Sequence, residues 1–256
     1  MLEGFALAVL FLAIASYYDL FEKRIIPNWL TYTFLATAVA FSLFMEGLVP
    51  IKLGIGVAVF LIGYLVYRLG YLGGADVFII SGLVFLLPLY MGATPSIISV
   101  LLISTILMAL YLETAFFARG TGFSPTIQEK ATAAIWAIGY GAVAYMLYIM
   151  GFAWFAALAL AVGIVSSIFA LIKKDLTKSL VTWVKPRDII EEDILAVEEL
   201  DGKIIEKYGL ERLLTAEQIK KVKKSRMRKV PVYGNLPPYI PFILLGVLGT
   251  LVVAII

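Results

Sequence analysis

Eight long apolar runs limit what this chain of 256 residues can fold into. They cover roughly residues 2–18, 28–46, 51–71, 77–91, 94–117, 131–150, 152–172 and 239–256. About 20 apolar residues cross a bilayer core as a helix, and shorter spans occur. With only 15% charged residues, the chain has too little polar surface for a water-soluble fold. We therefore predict an all-α membrane protein, a polytopic helical bundle of about eight transmembrane helices with a small cytoplasmic insertion.

The positions of the basic residues predict the orientation of these helices. Cytoplasmic loops of membrane proteins are enriched in Lys and Arg. If the N-terminus lies outside, Lys52 is the only one of the 21 basic residues on the outer side. We therefore predict a multi-pass protein of the cell membrane with both termini outside. The first run lacks a basic stretch before it and a small-residue cleavage site, so it is predicted to remain as a permanent helix.

One long polar segment, residues 173–236, interrupts the apolar pattern. It predicts three parts: a transmembrane catalytic bundle (1–172), a cytoplasmic polar insertion (173–236) and a final transmembrane helix (237–256). Within the insertion we predict a helix over roughly 188–208 that ends before Gly209, and a second helix after Thr215, where Gln218 completes a capping box. The basic residues at 220–229 are expected to contact anionic lipid. The proline-rich stretch "VPVYGNLPPYIPF" should run extended into the last helix.

The chain contains no cysteine and no histidine. This excludes thiol nucleophiles, a Ser-His-Asp triad and the usual Cys/His zinc sites. An enzyme with this composition must use carboxylates, Lys or Tyr for acid–base chemistry. No metal or cofactor and no nucleic-acid partner is expected.

Two acidic residues, Asp19 and Asp76, are the candidate catalytic groups. A charged side chain at bilayer depth costs about 2.5–3.5 kcal/mol or more, so such residues need a reason. In the predicted topology both lie at the cytoplasmic ends of helices, and packing of the first helix against the third and fourth would bring them together. Two carboxylates that share a site hold one proton between them, and they can activate water while protonating a leaving group. This is the chemistry of an aspartyl protease.

The residues just before Asp76, "GGA" at 73–75, are predicted to allow access to it. Gly73 and Gly74 permit a left-handed backbone and the close approach of an extended peptide, because glycine has no Cβ. Ala75 is also small, although a left-handed backbone at this position would be strained.

These stretches resemble the motifs of a known group of enzymes. "GGAD" at 73–76 is similar to the GxGD motif of membrane aspartyl proteases, with Ala75 where the motif has Gly. "YYDLFEKRIIPNWL" at 17–30 resembles the other half of the type IV prepilin peptidase family. "VKPRDIIEEDI" and "NLPPYIPFILLG" resemble its archaeal branch, which includes preflagellin (archaellin) peptidases. The cysteine-rich loop of many bacterial members is absent.

The resemblance implies a function and its partners. Asp19 and Asp76 would be the catalytic pair of an endopeptidase that removes short basic leaders from pilin-like or archaellin precursors at the cytoplasmic membrane face. The precursors and membrane lipid would be its partners, and the oligomeric state stays open.

Simpler explanations remain for each acidic residue. Asp76 could serve only as a helix cap, and Asp19 could be a boundary residue at the lipid headgroups. Glu113 is predicted to form a structural ion pair with Arg119 or Arg68. The alternative function is a proton- or cation-coupled transporter, because paired intramembrane acids also bind transported ions.

Overall fold

The computed structural model describes residues 2–22, 25–45, 50–91, 94–119, 123–189, 193–224, 227–234 and 236–255. The α-helices in these ranges are α1 (Leu2–Phe21), α2 (Asn28–Met45), α3 (Pro50–Arg68), α4 (Gly74–Leu86), α5 (Ser96–Ala118), α6 (Ile127–Ile149), α7 (Ala153–Leu180), α8 (Gly202–Tyr208), α9 (Ala216–Lys223) and α10 (Ile240–Ile255). The strands are β1 (Tyr90–Met91), β2 (Thr94–Pro95), β3 (Val181–Val184) and β4 (Val230–Tyr233).

The helices confirm the prediction of an all-α polytopic membrane protein. Six of those in the described ranges, α1, α2, α3, α5, α6 and α7, are long and apolar enough to cross a membrane. Helices α4 and α10 are shorter and also apolar. Helix α7 continues to Leu180, well past the predicted end of its apolar run at residue 172.

The chain forms two compact units, residues 1–104 with 181–256, and residues 105–180. In the first unit, α4 packs against both α2 and α3, and α1 packs along α10. Buried apolar side chains of α1, α2, α4, α10 and the start of α5 form its main core. In the second unit, α6 packs along α7, and Phe116, Ile172 and Leu176 form a small core.

The polar segment has an apolar core of its own. Strand β3 pairs antiparallel with β4, with Val181 opposite Tyr233 and Val184 opposite Val230. The buried residues of this core are Ile189, Leu195, Leu210, Leu214, Ile219, Val222 and Val230. The segment therefore adopts a packed fold in which two strands join the short helices.

The predicted helix over 188–208 is wrong for most of its length. Only α8 at its end is α-helical, while residues 190–192 lie outside the described part of the chain. The N–H of Leu195 donates to the carbonyl of Arg212 at 2.7 Å, and that of Ala196 donates to the carbonyl of Pro231 at 3.0 Å. These hydrogen bonds to distant parts of the same chain occupy backbone N–H groups that a continuous helix would need.

The ends of the short helices agree with the sequence. Helix α8 stops at Gly209, which has a φ of 59°. Helix α9 starts after Thr215, whose side chain accepts from the Gln218 N–H, as the capping box predicts. The buried face of α9 packs into the core of the segment, while its lysines at 220, 221, 223 and 224 are exposed.

Candidate functional site

Asp19 lies buried near the end of α1, with 7% of its surface exposed. Its Oδ2 accepts a hydrogen bond of 3.0 Å from the backbone N–H of Ile240, the first residue of α10. The first N–H groups of a helix have no partner inside it, and the positive end of the helix favours a negative charge. The packing of α1 along α10 therefore places this carboxylate where it satisfies the start of another helix.

Asp76 lies in the first turn of α4 and is half-buried. Its Oδ2 accepts a hydrogen bond of 3.1 Å from the N–H of Gly73, the residue before the helix. Gly73 itself is extended, with a φ of −73° and a ψ of 149°. The carboxylate thus folds back over the start of its own helix.

The structure brings Asp19 and Asp76 close enough to interact electrostatically. Helices α1 and α4 contact each other within the first unit, as the predicted convergence of the two acids requires. Each carboxylate also lies at the N-terminus of a helix, Asp19 at α10 and Asp76 at α4. Two positive helix ends offset part of the repulsion between two acids. A proton shared between the two carboxyl groups would offset more of it, and would leave one carboxylate as a base and one carboxylic acid as a donor.

The residues before Asp76 differ from the expectation in their backbone. Gly73 has a negative φ, and Gly74 and Ala75 already belong to α4, so the left-handed backbone that the glycines permit is not used here. Ala75 is therefore unstrained where the motif has Gly. The absence of a Cβ matters at Gly73 for another reason, because a Cβ there would lie 2.9 Å from Asp76 Oδ2. Gly73 therefore leaves room for the carboxylate of Asp76.

This geometry predicts different effects of alanine at the two neighbouring glycines. In Gly73→Ala the new methyl displaces the Asp76 carboxylate, and we expect a kcat at least about tenfold lower, since small displacements of reacting groups are costly. The melting temperature should not fall, because only the end of one side chain has to move. Peptide-cleavage kinetics and thermal unfolding of the purified variant measure both quantities.

Gly74→Ala is the matched control. A Cβ at this position meets the Tyr67 ring at 3.5 Å, an ordinary contact, and alanine favours the helix that starts here. We expect a kcat near that of the unmodified protein. If kcat falls equally in Gly73→Ala and Gly74→Ala, the role of Gly73 is not to leave space for the Asp76 carboxylate.

The second half of the predicted motif begins α2. The carbonyl of Pro27 accepts from the N–H of Leu30 at 2.9 Å, and Asn28 is the first residue of the helix. Lys23 and Arg24, which precede it, lie outside the described residues. The described part of "RIIPN" therefore acts as a helix start.

Glu113 does not form the predicted ion pair. It is buried in α5 with 3% of its surface exposed, and its Oε1 has no hydrogen-bond partner in the described part of the chain. Neither Arg68 nor Arg119 forms a salt bridge with it among the described residues.

The structure also offers no obvious metal centre. Within the described ranges, no group of three or more His, Cys, Asp or Glu side chains is placed to hold a metal ion.

Sequence reasoning missed two contacts near these acids. The hydrogen bond from Ile240 to Asp19 joins residues at opposite ends of the chain, and only the prolines beside Ile240 hint at a special helix start. Arg212 of the polar segment lies against Tyr71, on the turn that leads to Gly73. Nothing in the sequence around Arg212 or around Tyr71 indicates that these two residues are in contact.

Comparison with protein families gives a match for the first part of the chain. Residues 6–113 match the type IV leader peptidase family. The matched stretch is less than half of the 256 residues, and it contains both Asp19 and Asp76. No curated protein and no solved structure matches the chain.

Proposed function

We propose that this chain, whose residues 6–113 match the type IV leader peptidase family, is a membrane aspartyl endopeptidase. Its substrates would be type IV pilin-like or archaellin precursors, from which it removes short basic leader peptides at the cytoplasmic membrane face. The observation that carries the proposal is the convergence of Asp19 and Asp76 within the matched stretch. The match supports a protease of this kind, and the paired acids supply the chemistry.

The proposed mechanism uses the two carboxyl groups and one water molecule. The ionised carboxylate takes a proton from the water, whose oxygen attacks the carbonyl carbon of the scissile peptide bond. The protonated partner stabilises the developing oxyanion by hydrogen bonding. The carboxyl group that took the proton from water then donates it to the amide nitrogen, the oxyanion re-forms the C=O bond as the C–N bond breaks, and the amine and the new carboxyl terminus leave.

A transporter is the weaker candidate. Ion sites of transporters lie near the middle of the bilayer, commonly at the interface of internal repeats. Here Asp19 lies at the end of α1 and Asp76 at the start of α4, and no repeat of halves is visible in the sequence. The family match also favours a protease.

Cleavage by the purified protein tests the proposal. Detergent-solubilised protein is incubated with leader-bearing precursor peptides in the absence of any ion gradient, and mass spectrometry locates the new N-terminus. We expect one cut at the junction of the leader and the hydrophobic segment, with or without a metal chelator. No cleavage of any precursor would overturn the protease, and loss with a chelator that zinc restores would overturn the two-carboxylate mechanism.

The proposed topology places the 173–236 segment and the loop after Asp19 in the cytoplasm, with the termini outside. Because the chain has no cysteine, single cysteines can be introduced without background. We expect an impermeant thiol reagent applied to whole cells to label Phe152→Cys, between α6 and α7, and to leave Lys203→Cys on α8 unlabelled. Both positions are exposed. The reverse pattern would invert the topology; Ile256 itself lies outside the described residues.

A further inference from the structure

The turn between α3 and α4 leads directly to Gly73 and Asp76. Gly70, two residues after the end of α3, is left-handed, with a φ of 73°. The N–H of Tyr71 donates to the carbonyl of Val66 at 3.2 Å, and that of Gly70 donates to the carbonyl of Tyr67 at 2.8 Å. These two hydrogen bonds form a Schellman motif, which fixes the direction in which the chain leaves the helix.

Arg212, from the polar segment, covers this turn. Its guanidinium carbon lies 4.5 Å from the centroid of the Tyr71 ring, which is cation–π geometry. Its aliphatic stem lies against Gly70, where an added Cβ would come within 3.2 Å of the Arg212 Cγ. Gly70 therefore serves the turn twice, by its left-handed backbone and by the space that it leaves for Arg212.

Three contacts within the polar segment orient Arg212. Its Nη1 donates to Glu198 Oε1 at 3.0 Å, and the Tyr233 hydroxyl donates to the other oxygen of Glu198 at 3.2 Å. The Tyr233 ring centroid also lies 5.3 Å from the guanidinium carbon. Burial, followed by the nearby Glu198 carboxylate, raises the pKa of Tyr233 above its usual range, so the hydroxyl keeps the proton that it donates.

The contacts of Arg212 depend on the shape of the guanidinium as well as on its charge. Its Nε is buried and has no hydrogen-bond partner among the described residues, so stacking on the rings and the pair with Glu198 hold the group. A lysine carries the same charge but cannot stack as a plane on an aromatic ring. The partly exposed ion pair with Glu198 contributes little by itself. The contact with Tyr71, in contrast, joins two parts of the chain that are far apart in sequence.

We propose that Arg212 is a positioning residue that clamps the Tyr71 turn and thereby fixes Gly73 and the carboxylate of Asp76. Tyr71 precedes Gly73 by two residues, and Gly73 donates the backbone hydrogen bond to Asp76 Oδ2. A turn that shifts after the loss of Arg212 moves this N–H and the carboxylate with it. The predicted effect of Arg212 on catalysis rests on the proposed protease function. Its predicted effect on the position of the turn follows from the observed contacts and does not require that function.

Paired variants of Arg212 and Tyr71 test the clamp. In Arg212→Met and Tyr71→Leu we expect kcat to fall about tenfold or more with KM little changed, because the reacting group is displaced while the substrate contacts remain. Arg212→Lys should lose nearly as much as Arg212→Met. Tyr71→Phe keeps a ring for the guanidinium and should retain activity. The double variant should lose no more than either single variant, because both remove the same contact.

Two further measurements separate a positioning role from a general structural one. Hydrogen exchange measured by mass spectrometry should show faster exchange at residues 69–73 in Arg212→Met and Tyr71→Leu than in the unmodified protein. Arg187→Ala is the matched control in the same segment, because Arg187 is exposed and its ion pair within the described residues is with exposed Asp188 at 3.5 Å. It should change neither kcat nor exchange.

The outcomes distinguish the clamp from the protease itself. An unmodified protein that cleaves no precursor would overturn the proposed function and the catalytic part of the clamp. An active protein in which Arg212→Met keeps a normal kcat and normal exchange at 69–73 would overturn the clamp alone. If Arg212→Met fails to fold, Tyr71→Leu against Tyr71→Phe decides, and equal kcat values in these two would also refute it.

Discussion

Asp19→Asn and Asp76→Asn should each abolish leader cleavage while the protein still inserts and folds. Asparagine has the size of aspartate and can still accept a hydrogen bond from Ile240 or Gly73 through its carbonyl oxygen. It can neither take a proton from water nor donate an acidic one. We expect each kcat to fall by roughly 10⁴-fold, the scale seen when one member of a catalytic unit is removed. The double variant should be no worse than either single one, because both break the same proton-sharing pair.

Glu113→Gln is the matched control for this experiment. Glu113 is also a buried acid in an apolar helix, and nothing in the described structure pairs with its Oε1. A neutral side chain of the same size should fit there, so the folded fraction should keep its activity. Kinetics on purified variants, matched for folded protein and measured with one precursor peptide, give the comparison. Near-normal turnover of Asp19→Asn, or a Glu113→Gln variant as inactive as Asp76→Asn, would mean that the dyad has been assigned to the wrong residues.

Ile240→Pro should produce the second largest loss of activity. Proline has no N–H, so this substitution deletes the donor to Asp19 Oδ2 without touching either carboxylate. The first position of a helix tolerates proline well, because its N–H has no partner within the helix. A hydrogen bond to a charged group contributes about 1.5–3 kcal/mol, so we expect kcat to fall roughly tenfold to a hundredfold, with a smaller effect on KM.

Ile240→Val provides the control for the side chain. Ile240 is fully buried, and valine loses one methylene of its packing while it keeps the N–H. The valine variant should lose about 0.5–1.5 kcal/mol of stability and little activity. Cleavage kinetics and thermal unfolding of both variants separate the two effects. If Ile240→Pro and Ile240→Val have the same kcat, the amide of Ile240 does not hold Asp19 in its active position.

Local patterns in the sequence predicted the elements that depend on local physics. The apolar runs predicted the membrane helices, because burial in lipid requires length and low polarity within one stretch. The end of α8 at Gly209 and the start of α9 at Thr215 follow from backbone groups satisfied within a few residues. The predictions failed where a distant partner decides. The sequence predicted a helix near Leu195, but in the structure the backbone N–H groups of this stretch donate to carbonyls of strand β4 and Arg212.

The candidate site divides in the same way. The sequence alone identified the two acids, their placement at helix ends and the glycines before Asp76. The acids could be found in this way because a charged residue in an apolar chain stands out without any structure. Only the tertiary structure decided which donors hold them. Ile240 reaches Asp19 because α1 packs along α10, and Arg212 reaches Tyr71 because the polar segment and the first helices form one compact unit. Such contacts join residues that are distant in sequence, and their geometry depends on the packing of whole helices, which no local pattern encodes.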